Sequence, residues 1–133
     1  MKTVLKEKLE FIFSMYRDLL DTLKPEDYVY RLKGLRSNSI GKQLKCVAGA
    51  RESYYKSILD NQGFKWICSF DDEMANVKAE IDKYMEEYEK EIIVFIDDSE
   101  EMSNNQLSLI LDLLSHEYLH QGQIIRYLYA NHL

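Results

Sequence analysis

Two of the three histidines in this chain, His116 and His120, stand four residues apart within a long apolar segment. On a helix that spacing puts both imidazoles on one face, about 6 Å apart, within reach of a single ion. The pair is half of a metal site. The competing reading is two core histidines, each hydrogen-bonded to polar groups of the interior. The run His116-Glu117-Tyr118-Leu119-His120 also satisfies H-E-x-x-H, the zinc-protease pattern in which the glutamate is the general base. Those enzymes draw a third ligand from downstream. Only thirteen residues follow His120, with no acid among them and His132 as their one histidine. A protease is therefore disfavoured, and a third ligand has to come from upstream.

The elements that would carry such a pair are helices. A length of 133 residues suits one domain with one hydrophobic core, spanning residues 1–133. Apolar residues make up 46% of the chain, with one proline and five glycines, so helix breakers are scarce. No apolar run reaches the roughly 18 residues a membrane span needs, and the charged start Met1 to Lys8 is no signal core. A cytoplasmic protein is expected, in which Cys46 and Cys68 are free thiols. The net charge is −6, and thirteen acids between Asp71 and Glu101 face only Lys78, Lys83 and Lys90. With no basic stripe to neutralise phosphates, nucleic-acid binding is disfavoured; the acidic run reads as a solvated helix face.

Periodicity predicts four helices. Leu5, Leu9, Ile12, Tyr16, Leu19 and Leu23 give the first, over about residues 3–23, stopped by Pro25. Glu26 to Asn38 reads as a loop holding Leu32, Gly34 and Leu35, and the Ser37-Asn38-Ser39 cluster as an N-cap. Ile40, Leu44, Val47, Arg51 and Ile58 define the second helix, with Gly63 expected in the left-handed conformation at its end. The third is expected to start near Asp71 to Glu73 and run unbroken through Ile81, Met85, Tyr88 and Ile92 to Phe95. Ser103 caps the fourth, whose two apolar stripes, one through Ile110, Leu111, Tyr118 and Ile125 and one through Leu113, His116 and His120, predict a central buried helix. The expected fold is an all-α four-helix bundle.

The run from His116 to Leu128, H-E-Y-L-H-Q-G-Q-I-I-R-Y-L, resembles the closing signature of the DinB/YfiT-like superfamily, H-x-x-x-H-R-G-Q-I-x-x-Y-L. Ser39 to Ala48, S-I-G-K-Q-L-K-C-V-A, resembles its second-helix block, S-I-G-x-x-L-x-H-I-A, continued by Arg51-Glu52-Ser53-Tyr54-Tyr55. With the order of helices and the Phe64-Lys65-Trp66 connection, the resemblance spans essentially the whole chain. It implies a four-helix bundle whose second and fourth helices hold a divalent metal by three histidines. His116 and His120 match two ligand positions; the third holds Cys46, and Gln121 stands where arginine is frequent. One thiolate and two imidazoles suit zinc first and nickel second, and leave a coordination position open. Cys46 alternatively reads as a small core residue. Gly49 and Gly122 are the positions where the helices would approach closely enough for its short side chain.

Two functions follow. One is a metal-dependent enzyme, a thiol-dependent S-transferase or hydrolase, in which a metal on Cys46, His116 and His120 deprotonates a small thiol that attacks an electrophile; Glu117 would orient a ligand or move a proton. The other is a metal-free bundle acting as a ligand- or partner-binding module. The resemblance also implies a homodimer, for which Phe11, Phe13 and Met15 offer apolar surface beyond the first helix's stripe. Trp66 and Phe64 are expected to plug one end of the bundle, with a cleft wall as the alternative reading for them. Tyr54, Tyr55, Tyr118 and Tyr127 lie near the site by helix phase, and Cys68 is expected to lie away from it.

Overall fold

A computed structural model describes residues 1–31 and 38–130. Leu32, Gly34, Leu35, Ser37 and His132 lie outside the described residues. Among the described residues the fold is all-α, with no strand and no helix long and apolar enough to cross a membrane. Helix α1 runs Lys2–Thr22, a 3-10 turn Pro25–Val29 follows the proline, and α2 runs Ile40–Asp60. Ser39 caps α2 as expected, its Oγ accepting from the Lys42 amide at 3.2 Å. The left-handed residue at its other end is Asn61, with φ 52° and ψ 41°, and not Gly63. Asn tolerates that conformation, so the chain turns two residues earlier than expected.

The third helix departs most from expectation. Asp71 begins only a 3-10 turn, Asp72–Met74, and α3 is Lys78–Glu87. The delay has a steric cause at α2. A Cβ on Gly41 would lie 2.2 Å from the Ala75 carbonyl oxygen, so the backbone of 75–76 is pressed onto α2, and the Ser39 hydroxyl bonds the Asn76 side chain at 2.6 Å. A second break at Tyr88 separates α3 from α4, Glu89–Asp98. There the Met85 carbonyl accepts from buried Arg51 rather than serving only its own helix.

Helix α5, Asn104–Ala130, starts with a reciprocal cap: Gln106 N donates to Ser103 Oγ and Ser103 N to Gln106 Oε1. Helix α2 packs on α5 and α3, and α1 on α4 and α5. The core joins Leu9, Ile12 and Tyr16 to Leu44, Val47, Met85, Ile92, Ile110 and Leu113. The face of α5 that enters it runs through Leu109, Ile110, Leu113, Glu117, Gln121 and Ile124, and so takes Ile110 from one expected stripe and Leu113 from the other. Leu111, Tyr118 and Ile125 are exposed, so α5 is a wall of the bundle and not its central buried helix. Phe13 is buried and Phe11 exposed, which leaves Phe11 but not Phe13 as outward apolar surface on α1.

Candidate metal centre

Because α2 packs against α5, Cys46 in the second turn of α2 meets the histidine face of α5. One ligand atom from each of Cys46, His116 and His120 lies within 4.8 Å of the others, the one such cluster among the described residues. Cys46 Sγ stands 3.6 Å from His120 Nε2, and the two imidazole centroids are 4.3 Å apart. In a tetrahedral zinc site, bonds of about 2.3 Å to sulfur and 2.0 Å to nitrogen put these donors about 3.5 Å apart. The observed separation fits that edge; it also fits a weak S–H···N hydrogen bond.

The electrostatics favour neutral donors. Burial, with His120 and Arg51 adding to it, pushes His116 down to about 4, and burial lowers His120 as well. At neutral pH both rings have a lone pair to offer. Burial, then the nearby Cys68, raises the Cys46 thiol against the pull of Lys45; a metal would have to displace its proton. Nδ1 of each histidine is buried without a hydrogen-bond partner among the described residues. Such an atom costs free energy that a bound ion or an ordered water would recover.

One turn further into the bundle lies a charged floor from the same two helices. Arg51, fully buried, sits over the rings of Phe13 and Tyr16 at 4.6 and 5.1 Å. Its Nε donates to Glu117 Oε1 at 2.6 Å and its Nη1 to Glu89 Oε1 at 2.9 Å. The Tyr16 hydroxyl donates to the Glu117 carbonyl oxygen at 2.6 Å. Glu117 is thus engaged by Arg51 and makes no hydrogen bond to either imidazole. It is not the free general base that H-E-x-x-H would need, nor a residue that reaches a ligand; its ion pair instead ties α5 to α2 in the register that presents His116.

The outer side of Cys46 is open. Asn38, Lys42, Lys45, Cys46, Trp66 and Asp72 line a cavity of about 270 Å³. Trp66 is half exposed, and Phe64, also exposed, lies tilted against Tyr54 with ring centroids 4.4 Å apart, so neither plugs the bundle's end; Trp66 is a wall of this cavity. Polar side chains of α2 hold the extended connection in place. Ser57 Oγ accepts from Lys65 N and Ser53 Oγ from Ile67 N. Glu52 accepts from both Ser69 N and Ser69 Oγ. The indole therefore packs against α2 at Gly49: a Cβ there would come within 3.0 Å of its ring carbons and 3.2 Å of Cys68 Sγ. Gly49 makes room for Trp66, not for α5, and Gly122 has nothing within 4 Å, so neither glycine brings the two ligand helices together. Cys68 sits against α2 one turn from Cys46, not away from the site. Both cysteines are free. Two larger clefts, of about 520 and 610 Å³, border α4 and contain none of the three ligand residues, and Tyr55 belongs to the first of them.

The sequence reading missed the role of Arg51, whose place in an apolar stripe was the signal that it enters the core, and the latch formed by Glu52, Ser53 and Ser57. Comparison with protein-family models, with curated proteins and with solved structures finds no match.

Proposed function

We propose that this chain is a DinB/YfiT-like metalloprotein in which Cys46, His116 and His120 hold a divalent ion, zinc first and nickel second, and which uses a small thiol in S-transfer or hydrolysis. The convergence of the three donors within 4.8 Å carries this reading. The ion would supply Lewis acidity that keeps an incoming thiol deprotonated near neutral pH. The chain's own residues prepare that place. Burial holds both imidazoles neutral, the Arg51–Glu117 pair fixes the helix that carries them, and Trp66 walls the cavity on the outer side of Cys46. A thiolate ligand needs a reducing compartment, so the reading places the protein in the cytoplasm.

The alternative is a metal-free binding module, favoured by one observation: 3.6 Å between Cys46 and His120 also suits a thiol–imidazole hydrogen bond. Metal stoichiometry and melting temperature of wild type, Cys46→Ala and His116→Ala separate the two. The proposal expects near one equivalent of metal in wild type, more than about tenfold weaker metal binding in each variant, and folded bundles throughout. Equal metal content in wild type and Cys46→Ala would remove Cys46 from the site, and none in all three would leave the module reading. We also propose a homodimer through the exposed apolar residues of α1 and α5, among them Phe11, Leu111 and Ile125; sedimentation at tens of micromolar should show a dimer, and Phe11→Glu should weaken it.

A further inference from the structure

The cavity outside Cys46 differs in charge from the rest of the molecule. The chain carries a net −6, yet here Lys42 and Lys45 stand three residues apart on the face of α2 that also bears Cys46. Lys45 pairs with Asp72 at 3.0 Å. The Lys42 ammonium makes no ion pair or hydrogen bond among the described residues. Two cations against one carboxylate leave a single positive charge at the mouth of the cavity. The same cavity is lined by the chain's one tryptophan, Trp66, 51% exposed. Its position is held by backbone hydrogen bonds to Ser53 and Ser57 and by contact with Gly49, so it is a rigid apolar wall and not a loose surface side chain.

We infer that this cavity binds a small carboxylate-bearing molecule, its carboxylate on Lys42 and its apolar body against Trp66, with its other end at Cys46. What then happens to that end rests on the metal reading; the selection for negative charge does not. One net positive charge balances a singly charged carboxylate but not a phosphate, which carries about −1.5 to −2 near neutral pH and would need a second cation. A volume of about 270 Å³ is at the small end of ligand sites.

Trp66 reports on its own cavity, because no other tryptophan contributes to the emission. The test titrates zinc-loaded and chelator-treated protein with 3-mercaptopropionate and 3-mercaptopropanol, which differ only in the charged end. The carboxylate should bind at least about tenfold more tightly in both preparations. Lys42→Gln should bring the two ligands to within about threefold of each other, with zinc content and melting unchanged. Equal affinities in wild type, no saturable change with either ligand, or a preference that survives Lys42→Gln would overturn the inference. A wild type that holds no zinc would end the metal reading instead, and the carboxylate preference of the metal-free protein would still stand or fall by itself.

Discussion

Glu52 and Glu117 are both fully buried glutamates, one on α2 and one on α5, and their carboxyls are perturbed in opposite directions. Burial opposes ionisation of Glu52, but Lys56, Ser69 and Tyr84 together hold it down to about 2. Its oxygens accept from Ser69 N, Ser69 Oγ, Tyr84 OH and Lys56 Nζ. Burial pushes Glu117 up to about 7 past the opposing pull of Arg51. Arg51 is also shared with Glu89 and the Met85 carbonyl, and Glu117 Oε2 has no partner among the described residues. Burial alone does not set the state of a carboxyl; the number of donors brought to it does. Glu52 closes a structural latch. Glu117 belongs to an undersatisfied network directly beneath the candidate metal centre.

The largest expected effect comes from the residue the second network is built on. Arg51→Ala leaves Glu117 without its cation and should cost about 3 to 5 kcal/mol, measured by denaturant unfolding. Arg51→Met combined with Glu117→Leu should recover most of that loss. A single variant costing under about 1 kcal/mol would mean the pair organises nothing. Next is the latch. A folded-state pKa near 2 against 4.5 unfolded means that ionised Glu52 stabilises the protein above about pH 4.5, and that this is lost as pH falls towards 2. Glu52→Gln should therefore lower stability by about 2 to 3 kcal/mol at pH 7, with the gap to wild type closing by about pH 2. A gap independent of pH would assign the loss to packing.

The smallest effect has the opposite slope and tests the comparison most directly. For Glu117 the folded-state value of about 7 lies above the unfolded one, so its contribution is full below about pH 4.5 and is lost as pH rises through 7. Glu117→Gln keeps an acceptor for Arg51 and should gain on wild type by about 1 kcal/mol between about pH 6 and pH 7. Thermal melts of metal-free protein at the two values would show it. If Glu52→Gln and Glu117→Gln respond to pH in the same direction, the contrast between the two sites is wrong.

Much of the helical layout was legible beforehand because its signals are local. Ser39 and Ser103 cap α2 and α5 where expected, Pro25 ends α1's run, and the four-residue spacing of His116 and His120 places both rings on one face by helix geometry alone. Cys46 was identified through resemblance to a three-histidine pattern, and it does lie against that face. The steps that failed depend on what one helix meets on another. Nothing near Tyr88 announces the α3–α4 break, which sits where Arg51, from another helix, takes the Met85 carbonyl. Two apolar stripes on α5 suggested burial all round, yet only the contacts with α1 and α2 decide which face is covered.

By itself the sequence determined that the chain is helical, where its caps lie, and that two imidazoles share one face, since these follow from periodicity, capping chemistry and side-chain direction over a few residues. Tertiary structure alone decided how closely the thiol approaches those imidazoles, that Trp66 walls the approach, and that of two buried glutamates one is pulled down to about 2 and the other pushed up to about 7. Those outcomes depend on distances between atoms far apart in the chain, and both hydrogen bonding and desolvation change steeply over the few ångströms that packing sets.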